Sequence, residues 1–79
     1  MKVRLFARAR DLIGADVIEM SPPHPATIRE LRDRLERDFP HAAGLVAKSA
    51  FAINDDYAGD AVPIPLDAEV ALLPPVSGG

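Results

Sequence analysis

The chain has no cysteine and no tryptophan. Without cysteine there is neither a disulfide framework nor a thiolate metal site. Aromatic residues are scarce, at three Phe and one Tyr. No apolar run is long enough to span a bilayer, so no membrane association is expected. The opening Met1-Lys2-Val3-Arg4-Leu5-Phe6 alternates charge and apolarity, and it lacks the continuous apolar core of a signal peptide. These absences fit a cytoplasmic location. Positive charge is also unevenly missing, since no Lys or Arg follows Lys48. That stretch carries Asp55, Asp56, Asp60, Asp67 and Glu69, a formal charge of −5, whereas residues 1–10 hold Lys2, Arg4, Arg8 and Arg10 with no acid. No concentrated basic surface is paired with stacking aromatics, so no nucleic-acid partner is expected. An acidic stretch of this kind suits docking on a basic protein partner.

What is present reads as one small folded unit. Seventy-nine residues with 48% hydrophobic and 27% charged content make a single globular domain, residues 1–79. Lys2 to Arg8 alternates, with Val3, Leu5 and Ala7 on one face and Lys2, Arg4, Phe6 and Arg8 on the other, which predicts a strand. Arg8 to Ile13 is a longer connection with room for a helical turn. Gly14-Ala15-Asp16 marks a turn, and Asp16 to Met20 reads as a second strand forming a hairpin with the first. Ser21-Pro22-Pro23-His24-Pro25 is a loop, because prolines fit neither a helix interior nor a central strand.

The clearest element follows. Thr27 and Glu30 make a Thr-x-x-Glu capping box. Ile28, Leu31, Leu35 and Phe39 then form one apolar stripe at helical spacing, and Pro40 ends the helix. Glu30–Arg34 and Asp33–Arg37 are expected as i,i+4 ion pairs on its wet side. Ala42 to Lys48 is a short turn or further helical segment. Ala50 to Asn54 reads as a third strand, Asn54-Asp55-Asp56 as a turn, and Tyr57 as the opening of a short fourth strand. Val62 to Leu66, with Pro63 and Pro65, belongs to a loop or sheet edge. Glu69 to Leu73 is the last strand. The order predicts an α+β fold of the ubiquitin-like β-grasp kind: a mixed sheet of four or five strands with one main helix packed across it. Strand three or the last strand would pair beside strand one.

The end of the chain carries the one unusual chemical feature. Leu73-Pro74-Pro75-Val76-Ser77 leads to Gly78-Gly79, so residues 74–79 read as an extended tail. Two terminal glycines occur by chance roughly 0.5% of the time at average usage. Glycine lacks a β-carbon, so the tip is thin enough for a narrow enzyme channel. The two prolines fix φ and stiffen the approach. The Gly79 carboxylate is therefore the candidate reacting group, with Gly78 needed for steric access. Leu73, Pro74, Pro75, Val76 and Ser77 would line a partner's channel, and Phe6, on the charged face of strand one, would sit at a partner interface. Elsewhere no catalytic set is apparent. His24 and His41 sit next to prolines in expected loops, so no metal site is expected. Asp55, Asp56 and Asp60 lack the order of a calcium loop and are better read as turn residues. Ser77 has no histidine placed near it, and Gly14, Gly44 and Gly59 form no phosphate loop.

Several stretches together resemble a known family. They are Leu5-Phe6-Ala7-Arg8-Ala9-Arg10-Asp11-Leu12-Ile13-Gly14, Thr27-Ile28-Arg29-Glu30-Leu31, Ala52-Ile53-Asn54, and Asp67 through Gly79. In this order they resemble the MoaD-type sulfur-carrier proteins, the small subunits of molybdopterin synthase. Leu72-Leu73 departs from the family, whose members often have aromatic residues before Pro-Pro. The resemblance implies activation of Gly79 by a ubiquitin-activating-like adenylating enzyme using ATP. A persulfide sulfur donor would then leave a thiocarboxylate on Gly79. The molybdopterin synthase large subunit would accept the tail, and sulfur would pass to a cyclic pyranopterin phosphate. Catalytic residues would belong to that partner, and this chain would hold no cofactor stably. The sheet face opposite the helix is the docking surface that the superfamily suggests. A thiamine-type sulfur carrier, a protein modifier conjugated through Gly79, and a purely structural binding domain are the alternatives.

Overall fold

A computed structural model describes residues 1–76. Five strands form one sheet: β1 (Lys2–Leu5), β2 (Val17–Glu19), β3 (Ala50–Ile53), β4 (Asp56–Ala58) and β5 (Val70–Leu73). Their spatial order is β2-β1-β5-β3-β4. β1 and β5 are parallel, and every other pairing is antiparallel. The last strand therefore fills the centre, hydrogen-bonded to β1 on one side and β3 on the other.

One face of the sheet is covered. Val3, Leu5, Phe51, Val70 and Leu72 alternate inward and are almost completely buried. They meet helix α2 (Ile28–Asp38), whose Ile28, Leu31 and Leu35 are fully buried, with Phe39 packed at the margin. Each such side chain contributes up to about 1.5–3 kcal/mol on leaving water. The start of α2 is fixed by Thr27, whose Oγ1 accepts from Glu30 N–H at 3.2 Å. The loop after β4 closes over the same end: Asp60 O accepts from Arg29 N–H, and Val62 O accepts from Ile28 N–H. Pro63 forms an isolated antiparallel bridge with Thr27, so Val62 to Leu66 behaves as the irregular edge its prolines predict.

Three expectations are corrected. β1 stops at Leu5 and does not reach Arg8. Ala7 adopts φ 51, a left-handed conformation that a strand cannot continue through, and helix α1 (Ala7–Ile13) begins there. Ala9 is fully buried and Ile13 packs against the core one turn later, while Gly14 ends α1 at φ 84 with its N–H donated to Arg10 O. The connection expected from Arg8 to Ile13 is therefore a helix in its own right. A 3-10 turn (Pro40–Ala42) also runs into helix α3 (Ala43–Lys48). Finally, the i,i+4 salt bridges along α2 are Arg29–Asp33 and Arg34–Asp38, not Glu30–Arg34 and Asp33–Arg37, and Arg37 pairs with the adjacent Asp38. Glu30 stays with the Thr27 cap, and the Arg34 guanidinium is drawn back to Ser21 O and Pro23 O at 3.1 and 2.6 Å.

A third arginine joins the layers. Arg32 donates through Nε and Nη2 to Asp60 Oδ1, at 3.1 and 3.0 Å. Its Nη1 donates to Val46 O at 2.8 Å and Ser49 O at 2.7 Å. The guanidinium also lies 4.9 Å from the centre of the Phe51 ring. One side chain thus ties α2 to the end of α3, to the start of β3 and to the loop after β4.

Candidate functional site

The tail leaves from the middle of the sheet. Leu72 pairs with Leu5 of β1 and with Phe51 of β3, and Leu73 pairs with Ala50. Phe6 follows Leu5 directly, so Phe6 and Leu73 both lie at the end of the sheet where the tail begins. Phe6 is not a strand residue, contrary to expectation. It precedes the left-handed Ala7 and remains 42% exposed. Beside it lies a shallow hollow of about 240 Å³ lined by Arg4, Leu5, Phe6, Arg10, Asp16 and Val17. Arg10 and Asp16 face each other at 3.8 Å in this hollow. Leu73 and Pro74 are half-buried, Pro75 is exposed, and Val76 is 93% exposed. Val76 therefore packs against almost nothing within the described fold. Ser77, Gly78 and Gly79 lie outside the described residues.

The uncovered sheet face adds a feature that composition alone conceals. Register places Val17, Arg4, Ala71, Ala52 and Tyr57 in one row across all five strands. Alanines occupy the centre of that row, while Val17 at 41% and Tyr57 at 78% exposure stand at its edges. The face is therefore a trough with a small-residue floor along β5 and β3. It runs toward Leu73 and the tail. Sequence reading missed the floor because Ala52 and Ala71 carry no chemistry, and only the pairing brings them together. The period-2 alternation of β3 and β5 was the available signal.

Charge sorts along the strands as well. Asp55, Asp56, Asp67 and Glu69 gather near the β3–β4 turn and the start of β5, at the opposite end from the tail. Asp60 stands apart, held by Arg32 at 3.0 Å. His41 does structural work: its Nε2 lies 2.8 Å from Leu12 O and links the end of α1 to the 3-10 turn. Among the described residues no three His, Asp or Glu side chains gather as they would around a metal ion, and no helix is long and apolar enough to cross a membrane.

This geometry, a central strand that continues into an apolar stem, accompanies a clear relationship. The ThiS family profile matches residues 3–79. The chain belongs to the ThiS family. It is 34% identical to the molybdopterin synthase sulfur carrier subunit of Arabidopsis thaliana, over all of this chain and 82% of that protein. Among solved structures, SAMP1 from Haloferax volcanii superposes with a TM-score of 0.80 at 23% identity, covering 99% of this chain and 97% of that one. That likeness establishes the ubiquitin-like β-grasp fold. A chain in the protein–protein complex of subunits 1 and 2 of the molybdopterin-converting factor from Helicobacter pylori matches with a TM-score of 0.68. It is 25% identical, over 99% of this ThiS-family chain and 96% of that one.

Proposed function

We propose that this chain is the sulfur carrier and small subunit of a molybdopterin synthase, and that its terminal carboxylate is the group that reacts. The observation that carries this reading is β5: a strand locked on both edges that runs directly into Pro74-Pro75-Val76-Ser77-Gly78-Gly79. A bare carboxylate does not react with nucleophiles. In the proposed cycle a Gly79 oxygen attacks the α-phosphorus of ATP on an adenylating enzyme of the ubiquitin-activating kind, and pyrophosphate leaves. The resulting mixed anhydride has AMP as a good leaving group. The outer sulfur of a persulfide donor displaces AMP at the acyl carbon. Reduction of that acyl disulfide by a thiol leaves the thiocarboxylate. Sulfur then passes to a cyclic pyranopterin phosphate in the active site of the large subunit.

This chain's own contribution is delivery. From Leu73, a fully extended tail places Gly79 up to about 20 Å beyond the sheet. Side chains on the domain therefore stay outside a deep active site, and acid, base and phosphate-binding groups belong to the partners. The alanine-floored trough suits the large subunit: small residues admit bulky apolar side chains from the other protein, with Tyr57 and Arg4 as walls. Phe6, Leu73, Pro74, Pro75 and Val76 continue that surface into the channel mouth.

Genetic rescue tests the reading. The full chain and the chain lacking Gly79 are expressed in a cell deleted for its own synthase small subunit, and a molybdoenzyme is assayed. Rescue by the full chain alone is expected. Rescue by both would remove the terminal carboxylate from the mechanism. Rescue by neither would favour another sulfur-transfer pathway or an incompatible partner.

A further inference from the structure

Strand β1, helix α1 and the turn into β2 meet at one corner of the domain, at the end of the sheet where the tail begins. Phe6 closes β1 in extended geometry, and the left-handed Ala7 turns the chain into α1. Arg10 stands four residues on, with its N–H directed back to Phe6 O at 3.5 Å, so the two residues lie one turn apart. Gly14 ends the helix at φ 84, and Asp16 returns beside Leu5, whose N–H donates to Asp16 O at 2.8 Å. Phe6, Arg10 and Asp16, with Arg4 and Val17 from the outer row, line the hollow of about 240 Å³.

Size limits what can enter. Small-molecule sites run to roughly 300–1,000 Å³, whereas a hollow of 240 Å³ takes a single protruding side chain. Charge narrows the choice. The lining carries two arginines against one acid and is net positive. Arg4 is engaged by Glu69 at 3.3 Å. Arg10 is held by Asp16 at 3.8 Å, too long for a hydrogen bond, and the two side chains are 54% and 81% exposed. Such a pair is weak. The planar Arg10 fork therefore keeps donors for a second carboxylate, which it can hold by two parallel hydrogen bonds. Phe6 adds an exposed apolar wall for the methylenes of an incoming side chain. A glutamate or aspartate meets both features, whereas a free phosphate would leave the ring uncovered.

We propose that this hollow receives one acidic side chain of the large subunit, seated on Phe6 and held by Arg10, and that Asp16 is its built-in competitor. The inference rests on the proposed pairing with a large subunit. Phe6 and Leu73 lie at the same end of the sheet, so the hollow is continuous with the stem, and the acid belongs at the rim of the channel that the stem enters. On docking, the partner's carboxylate displaces Asp16 from Arg10. Closure of the interface also removes the water that weakens charge pairs on the free domain.

Calorimetric titration of the full chain with the purified large subunit of the same organism tests this through two variants of opposite sign. Arg10→Gln removes the charge and keeps a polar stem. Affinity should fall about tenfold or more, as for the loss of one side of a desolvated charge pair. Asp16→Asn keeps the shape and removes the competitor. Affinity should rise about two- to fivefold, the worth of an exposed ion pair. In the Arg10→Gln background, Asp16→Asn should give no gain, because no guanidinium is released. Arg8→Gln, on the same helix but outside the hollow, measures the effect of a lost surface charge. A gain in affinity cannot come from a damaged fold, so the test holds even where Arg10→Gln is less stable. Unchanged or weaker binding by Asp16→Asn, an equal gain in both backgrounds, or a loss in Arg10→Gln no larger than in Arg8→Gln would each overturn the inference. A wild type that does not bind the large subunit would remove the proposed function and this inference together, whereas binding without these shifts would remove the inference alone.

Discussion

Arg32 is the side chain whose loss should cost the fold most for its size. Its side chain is 16% exposed, and its guanidinium contacts three elements at once. Replacement by Met keeps much of the stem's packing and removes every donor. Val46 O retains a second partner, the Ser49 N–H at 3.1 Å, so its loss is partial. Ser49 is buried, and its carbonyl loses the 2.7 Å charged donor, a cost of about 1–2 kcal/mol. The Asp60 carboxylate is 43% exposed, so solvent screening limits that pair to about 0.5–1 kcal/mol. Loss of the Phe51 contact adds about 0.5–1 kcal/mol. Arg32→Met should therefore destabilise by about 3 kcal/mol. That is a large share of the roughly 4–12 kcal/mol that a chain this short can have. Arg32→Lys keeps the charge, but one ammonium cannot reach partners fanned around a planar fork, and a loss of about 1.5–2 kcal/mol is expected. Asp60→Asn should cost under about 1 kcal/mol. Urea unfolding followed by circular dichroism measures all three, with the m-value confirming two-state behaviour. Arg32→Lys as stable as the wild type would refute the reasoning, because charge alone would then suffice. So would Asp60→Asn matching Arg32→Met, which would place the whole effect in the ion pair.

Three other outcomes are expected. Gly78→Val should leave urea stability unchanged, since the sheet ends at Leu73, yet suppress ATP-dependent adenylate formation by blocking the channel; normal adenylation would remove the steric argument. Asp55→Gly should stabilise the fold by about 0.5–1 kcal/mol, because Asp55 is exposed and held at φ 72 in a two-residue hairpin turn beside Asn54 at φ 49; thermal melting reads the sign, and a fall in Tm would indicate a contact made by the carboxylate. Ala71→Arg, on the trough floor, should weaken binding to the large subunit at least about tenfold while circular dichroism stays native, as expected for a central position in an interface; unaltered affinity by calorimetry would move the docking surface off this face.

Much of the fold was legible because local and tertiary signals agreed. Thr27, Glu30, Ile28, Leu31 and Leu35 specify α2 by capping and periodicity together, and the structure uses each of them in that role. Val3, Leu5, Val70 and Leu72 alternate as buried strands do. The strand beside β1 was narrowed to two candidates, and it is β5. What stayed hidden depended on contacts distant in sequence or on one backbone angle. The partners of Arg32 lie 14 to 28 residues away, so nothing local marked it as different from Arg29 or Arg34. Strand-like alternation continued past Leu5 into Arg8, and only the positive φ of Ala7 ends it. A signal for α1 did exist in Ala9 and Ile13 at i,i+4 followed by Gly14, a helix stop. The predicted Glu30–Arg34 pair failed because backbone carbonyls at Ser21 and Pro23 compete for Arg34, while Asp33 and Arg37 pair instead with Arg29 and Asp38. Of the candidate site, the tail was plain from its residues, whereas the trough required the register of five strands.

The position of β5 explains why a carrier would be built this way. A tail presented in turn to an activating enzyme and to a synthase subunit must be slim and free at its tip. Its root must stay fixed, or each encounter would cost ordering entropy. An edge strand could peel away under that demand, because it is held on one side only. β5 is held on both sides, and its Val70 and Leu72 are fully buried under α2. Opening it requires opening the whole domain, so the root should be as protected as the core itself. The same packing frees the opposite sheet face, because one helix layer already supplies the core. Stability is thereby concentrated on the inner face, which leaves the outer face and the stem uncovered. Arg32 lies where these roles meet, since it fixes Ser49 beside Ala50, the residue that pairs with Leu73 at the base of the tail.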